Sequence, residues 1–260
     1  MTDILLRIEN LDITYGHGPA ATHAVRDLSL TLPRGRTLGL VGESGSGKST
    51  LAKAIVGGLR PRSGSITIDG TDVAGVRGRA RTTLRRRVQL IPQDPYSSLD
   101  PRRTVGVALA EALDPRRAAV RKHRAVIAEW LERVRMPADA IDRYPHEFSG
   151  GQRQRIAVAR GLMIRPSLVI ADEITSALDV SVQAEILALL DELRHELDLT
   201  MVFISHNLAV VRQVSDEVAV VHHGELVEHG PASRVYASPA APYTRTLLDA
   251  DPASPGFTLV

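Results

Sequence analysis

Gly42-Glu43-Ser44-Gly45-Ser46-Gly47-Lys48-Ser49 fits the pattern G-x-x-x-x-G-K-[ST] at every required position. Glycines at those points let the backbone wrap closely around a phosphate, with successive N–H groups turned inward. A helix starting at the lysine adds the partial positive charge of its N-terminus. Lys48 then reaches the outer phosphates and Ser49 offers its hydroxyl to Mg²⁺. The candidate nucleotide contacts are Gly42, Ser44, Gly45, Gly47, Lys48, Ser49 and Thr50. A dinucleotide fingerprint fails here, because Thr50 stands where its third glycine belongs. The loop reads as a nucleoside triphosphate site.

Two further segments carry chemistry. Leu168-Val169-Ile170-Ala171-Asp172-Glu173 is an apolar run closed by two acids. Acids at the carboxyl end of a buried strand are costly unless they meet a cation or a cleft. Asp172 is suited to hold Mg²⁺ through its water shell, and Glu173 to orient and deprotonate an attacking water. Phe148-Ser149-Gly150-Gly151-Gln152 opens a second helix with adjacent glycines, another backbone nest for an anion. Two phosphate-binding sites about a hundred residues apart either converge in one molecule or serve one nucleotide from two subunits. The residues alone leave both arrangements open.

The elements that must position these groups follow from the hydrophobic pattern. Short apolar runs alternate with longer helical segments, the signature of an α/β domain. Strands are expected at Ile4–Ile8, Arg36–Val41, Ser65–Ile68, Val88–Ile91, Leu168–Ala171, Met201–Ile204, Val218–Val221 and Leu226–Glu228, with a turn at Gly224–Glu225. Helices are expected after Gly47, Gly151, Asp179 and His206, and Val182, Ile186, Leu189, Leu190 and Leu193 form one apolar stripe. Strand signals stop between Gln93 and Arg160, which reads as a helical insertion containing Val120–Val134.

The 260-residue chain is 43% hydrophobic and 24% charged, enough for a large core and unlike a disordered segment. It contains no cysteine, which excludes disulfides and thiolate metal sites. No apolar run is long enough to span a membrane, and the opening MTDILLRIEN lacks the apolar region of a secretory signal. A formal net charge of +2 and few aromatics argue against a nucleic-acid partner. The arginine runs Arg77–Arg87 and Arg116–Arg124 read as solvated faces; near a membrane the first could also meet anionic lipid.

Taken together, these segments resemble the ATP-binding subunit of an ABC transporter along nearly the whole chain. Gly42–Ser49 matches the Walker A loop, Asp172 and Glu173 the Walker B acids, and Ser149-Gly150-Gly151-Gln152 the family signature. Ser176-Ala177-Leu178-Asp179 is similar to the D-loop, Gln93 to the Q-loop and His206 to the switch histidine, while Tyr15 stands at the adenine-stacking position. The resemblance implies an α/β fold: a P-loop ATPase core with a mostly parallel sheet, an antiparallel β subdomain and a helical insertion. The implied division is 1–92 with 160–230 as core, 93–159 as helical signature subdomain and 231–260 as a C-terminal extension, frayed after 251.

It also implies ATP clamped with Mg²⁺ between Walker A of one subunit and the signature of another. Glu173, His206 and Gln93 are then the catalytic set, Ser49, Asp172 and Gln93 the metal set, and Tyr15, Ser149, Gly150, Gly151, Gln152 and Asp179 join the nucleotide contacts. Pro92–Arg102, Tyr144–Phe148 and Leu178–Gln183 are similar to the oligopeptide, dipeptide and nickel importers, and Ala241-Pro242-Tyr243-Thr244-Arg245 to their C-terminal segment. The implied partners are two membrane permeases, a second ATP-binding subunit (a paralogue rather than a self copy) and, indirectly, an extracytoplasmic solute-binding protein, at the cytoplasmic face of the membrane. Ile174 replaces the family proline and is expected to loosen the turn after Glu173; Ala241 replaces the family histidine. Lacking the cysteine cluster of some members, the chain resembles the shorter second ATPase of a heteromeric pair. A carbon–phosphorus lyase accessory ATPase is the competing resemblance; the Tyr96–Arg102 stretch favours the importer.

Overall fold

A computed structural model describes residues 3–16, 21–94 and 98–250. Six strands form the central sheet: β3 (Thr37–Val41), β6 (Val88–Ile91), β7 (Leu168–Asp172), β8 (Thr200–Ile204), β9 (Glu217–His222) and β10 (Glu225–Pro231). Their order is β10-β9-β3-β8-β7-β6. All neighbours pair in parallel except β10, which forms an antiparallel hairpin with β9 through the turn expected at Gly224–Glu225.

Burial on both faces explains the near-continuous apolar runs of the parallel strands. Leu168 and Ile170 of β7 enter one core, shared with Val202 and Ile204 of β8. Val169 and Ala171 enter the other, with Met201 and Phe203. The first core lies against α1 (Lys48–Ile55) and a second, antiparallel sheet ordered β2-β1-β4-β5. In that sheet β1 is Ile4–Tyr15, β2 Thr22–Pro33, β4 Ser63–Ile68 and β5 Thr71–Asp72.

Two long strands need correction, besides the two-residue β5, which is absent from the expected set. β1 runs on to Tyr15 instead of ending at Ile8, and β2 was not anticipated at all. The cause is shared: Asn10 (φ 47°) and Asp27 (φ 41°) are left-handed, and the β1–β2 register shifts beside them. Such irregularities break the two-residue alternation that a sequence pattern relies on. Likewise the arginine run is not only a surface patch, since Gly78–Arg87 folds as α2 with Leu84 buried.

The opposite core is covered by helices. These are α3 (Val105–Leu113), α4 (Val120–Arg133), α5 (Gly150–Leu162), α6 (Val180–Leu197), α7 (Leu208–Val214) and α8 (Ala232–Ala237). The stripe expected on α6 is buried at Ile186, Leu189, Leu190 and Leu193, while Val182 is half-buried. The boundary expected at 159/160 falls within α5, which passes from the helical region to the sheet. A Cβ at Gly161 would lie 3.0 Å from the Ile91 side chain on β6. The chain continues into α9 (Pro242–Asp249), and the fraying expected after 251 lies outside the described residues. Among the described residues no helix is long and apolar enough to cross a membrane.

Candidate functional site

Parallel strands end on the same edge of their sheet, and the chemistry-bearing residues are placed there by that topology. The glycine loop leaves β3, Gln93 follows β6, Asp172 and Glu173 close β7, and His206 follows β8. These ends surround a cleft of about 920 Å³ lined by Ser44, Gly45, Gly47, Lys48, Ser49, Thr50, Gln93 and Glu173. One wall comes from the start of β2, which contributes His23, Ala24 and Arg26, and from His223 in the β9–β10 turn. Sequence reasoning missed this wall because it missed β2.

The loop's shape is fixed by backbone approach. Gly47 has φ 105°, and a Cβ there would sit 2.3 Å from the Ala24 carbonyl. Gly42, at φ 147°, comes as close to the Val221 carbonyl, 2.0 Å from where its Cβ would be. The β9–β10 turn clamps the loop through Gly224 N donating to the Ser46 carbonyl at 3.0 Å. Lys48 is 6% exposed and donates to the Gly42 and Glu43 carbonyls, each at 2.7 Å, and to Ser46 Oγ at 3.3 Å. Burial lowers the pKa of its ammonium, and the nearby carboxylates of Glu173, Asp172 and Glu43 oppose that fall.

Asp172 faces the loop, 3.5 Å from the Ser49 hydroxyl. Burial, and next the negative charge of Glu173, push its carboxyl above the usual range. A cation between Ser49 and Asp172 would relieve that penalty. Among the described residues no three His, Cys, Asp or Glu side chains gather into a metal cage. The donor set instead suits a cation such as Mg²⁺, which keeps waters and substrate phosphates in its shell.

Glu173 sits on a left-handed turn (φ 48°) whose amide donates to the Ile204 carbonyl at 2.9 Å. Each of its carboxylate oxygens has a side-chain neighbour. Gln93 Nε2 donates to Oε2 at 3.0 Å, and His206 Nδ1 lies 3.5 Å from Oε1. Gln93 also donates to Ser176 Oγ at 3.2 Å, tying the loop after β6 to the segment after Glu173. Ile174, which follows Glu173 in place of the family proline, is buried in the helical-side core at 1% exposure.

The remaining sequence candidates lie elsewhere. Ser149 caps α5 reciprocally: Gln152 N donates to Ser149 Oγ at 3.3 Å, and Ser149 N donates to Gln152 Oε1 at 2.9 Å. No acid occupies the first turn of α5, so its positive end is uncompensated. Ser149, Gly150, Gly151 and Gln152 do not line the glycine-loop cleft. They pack beside the segment after Glu173 instead: a Cβ on Gly151 would lie 2.4 Å from Val182 Cγ1. Asp179 caps α6, accepting from Val182 N at 2.9 Å and Ser181 Oγ at 2.7 Å, which hold its carboxyl below the usual range. Tyr15 is exposed and donates to Thr50 Oγ1 at 3.4 Å, outside the cleft lining.

Comparison with known proteins bears on this arrangement. The family model described as ABC transporter matches residues 25–176. A Brucella abortus protein carrying the name of a peptide import ATP-binding protein is 47% identical over 96% of this chain and 76% of its own length. A Sinorhizobium fredii protein named as a peptide ABC transporter ATP-binding protein is 45% identical over 97% of this chain and 74% of its own. Among solved structures, the ATP-binding cassette MJ0796, in a dimeric post-hydrolysis state bound to ADP and Pi, superposes with a TM-score of 0.78 at 27% identity, covering 88% of this chain and 99% of that one. CbiO1 from Clostridium perfringens, part of the ABC transporter complex CbiONQ, superposes with a TM-score of 0.80 at 29% identity over 91% of this chain and 92% of that one.

Proposed function

The chain belongs to the ABC transporter family of ATP-hydrolysing proteins, and from that premise we propose that it is the ATP-driven subunit of a peptide importer. The observation that carries the chemistry is the convergence of Lys48, Ser49, Gln93, Asp172, Glu173 and His206 at one sheet edge. Kinship to relatives named for peptide import supports the cargo class.

In this reading the N–H groups of Ser44 to Ser49 and the Lys48 ammonium hold the phosphates of ATP. Ser49, Asp172 and Gln93 would hold Mg²⁺, which when bound neutralises phosphate charge. Glu173 accepts the proton of the attacking water as the bond to the terminal phosphoryl group breaks, giving ADP and phosphate. Gln93 and His206 fix the orientation of the Glu173 carboxylate. Since Ser149–Gln152 lies outside the cleft, the second phosphate nest acts on ATP held by a partner ATPase subunit. Each partner completes the other's site, as a two-fold or pseudo-two-fold arrangement allows. ATP bridges the pair and favours closure; hydrolysis removes the bridge.

That cycle would switch two membrane permeases supplied by an extracytoplasmic binding protein, with this subunit peripheral on the cytoplasmic side. The test is affinity purification of the tagged chain from detergent-solubilised membranes of its host, with identification of the co-purifying chains. Two permeases with a second ATPase are expected. Recovery with soluble enzymes alone would overturn the transport role and promote the accessory-ATPase reading.

A further inference from the structure

Tyr243 lies beyond the region that matches the ABC transporter family model, yet its hydroxyl reaches the glycine loop. Glu43 N donates to Tyr243 Oη at 3.4 Å. The carbonyl of that same peptide unit, Gly42 O, accepts from Lys48 Nζ at 2.7 Å. One peptide plane is therefore held at its N–H by the C-terminal extension and at its C=O by the phosphate-binding lysine. The hold matters because the unit pivots on Gly42, whose φ of 147° leaves it free of side-chain restraint. Tyr243 is itself fixed: its ring stacks on His222 at the end of β9, centroids 3.8 Å apart and planes 23° apart. Upstream, the buried Glu228 carboxylate on β10 accepts from the amides of Ala240 (2.9 Å) and Ala241 (3.1 Å). A strap thus runs from β10 through Glu228 to Tyr243 and ends on the first peptide of the loop.

We propose that Tyr243 is a positioning residue for the phosphate loop, through which the C-terminal extension sets the affinity for ATP. It touches neither substrate nor the reacting atoms; it fixes the peptide whose carbonyl accepts from Lys48. The inference rests on ATP binding at this loop and is independent of the transport role. Tyr243→Phe keeps the stack on His222 and removes only the hydroxyl. Loss of one neutral hydrogen bond predicts a Kd for Mg-ATP raised by about 3- to 10-fold, read by equilibrium titration of the full-length protein. KM for ATP should rise in parallel, with kcat within about twofold and the melting temperature of the nucleotide-free protein unchanged. Glu228→Gln, which loosens the strap's other anchor, should shift the Kd in the same direction. An unchanged Kd in Tyr243→Phe would overturn the proposal, as would a fall in melting temperature of that variant large enough for unfolding to account for the lost affinity. Failure of the native protein to bind Mg-ATP would instead count against the ATP site itself.

Discussion

Lys48 is the residue on which most of the electrostatics converge: buried, tripled in its hydrogen bonds and facing three carboxylates. Charge-assisted contacts to phosphate contribute about 1.5–3 kcal/mol. Lys48→Ala should accordingly weaken Mg-ATP binding by roughly 10- to 100-fold in an equilibrium titration. Binding within twofold of the native protein would show that the ammonium does not meet the phosphates. Gly47 tests the loop's shape rather than its charge. With φ at 105° and the Ala24 carbonyl in the way, Gly47→Ala must strain the backbone or displace β2. A cost of about 1–3 kcal/mol in chemical denaturation is expected, together with loss of nucleotide binding.

The elements divide by how regular they are. β3, β7 and β8 are buried on both faces and stand out as apolar runs, so the strand ends carrying Lys48, Asp172, Glu173 and His206 were legible from residue pattern alone. β2 was not, because Asp27 interrupts its alternation, and the cleft wall of His23, Ala24 and Arg26 was lost with it. The Tyr243 contact with Glu43 spans 200 residues and has no local signature at all. Asp179 shows a different limit: the sequence marks the residue but not its task as a helix cap. Caps can be tested directly. Ser149→Ala removes half of the reciprocal cap on α5 and should cost about 1 kcal/mol in thermal or chemical unfolding. An unchanged stability would mean the cap is not formed. Glu228 offers a pH test. Burial raises its pKa, but the amides of Ala240 and Ala241, the Thr244 hydroxyl and Arg234 together outweigh that and hold the carboxyl below its ordinary value. A depressed folded pKa gives stability that is complete above the ordinary value of 4.5 and is lost as pH falls through the folded one. The melting-temperature gap between the native protein and Glu228→Gln should be present at neutral pH and narrow in acid. A gap constant with pH would contradict this anchoring.

At the scale of the whole molecule, one chain carries two glycine-rich helix starts that do not share a cleft. The glycine loop faces the wall built by β2 and the β9–β10 turn, whereas the start of α5 packs near Val182 at the head of α6. Our reading joins them across two subunits, with Glu173 providing the base in this chain's own site. That claim is tested most directly by the fate of ATP in the purified assembly carrying Glu173→Gln. The substitution keeps the shape and, with its amide oxygen toward Gln93, that hydrogen bond, while removing the proton acceptor. The account predicts that hydrolysis at this chain's site falls by at least about 100-fold while Mg-ATP stays bound and occluded between subunits. Hydrolysis at the native rate, with no retained ATP, would contradict it.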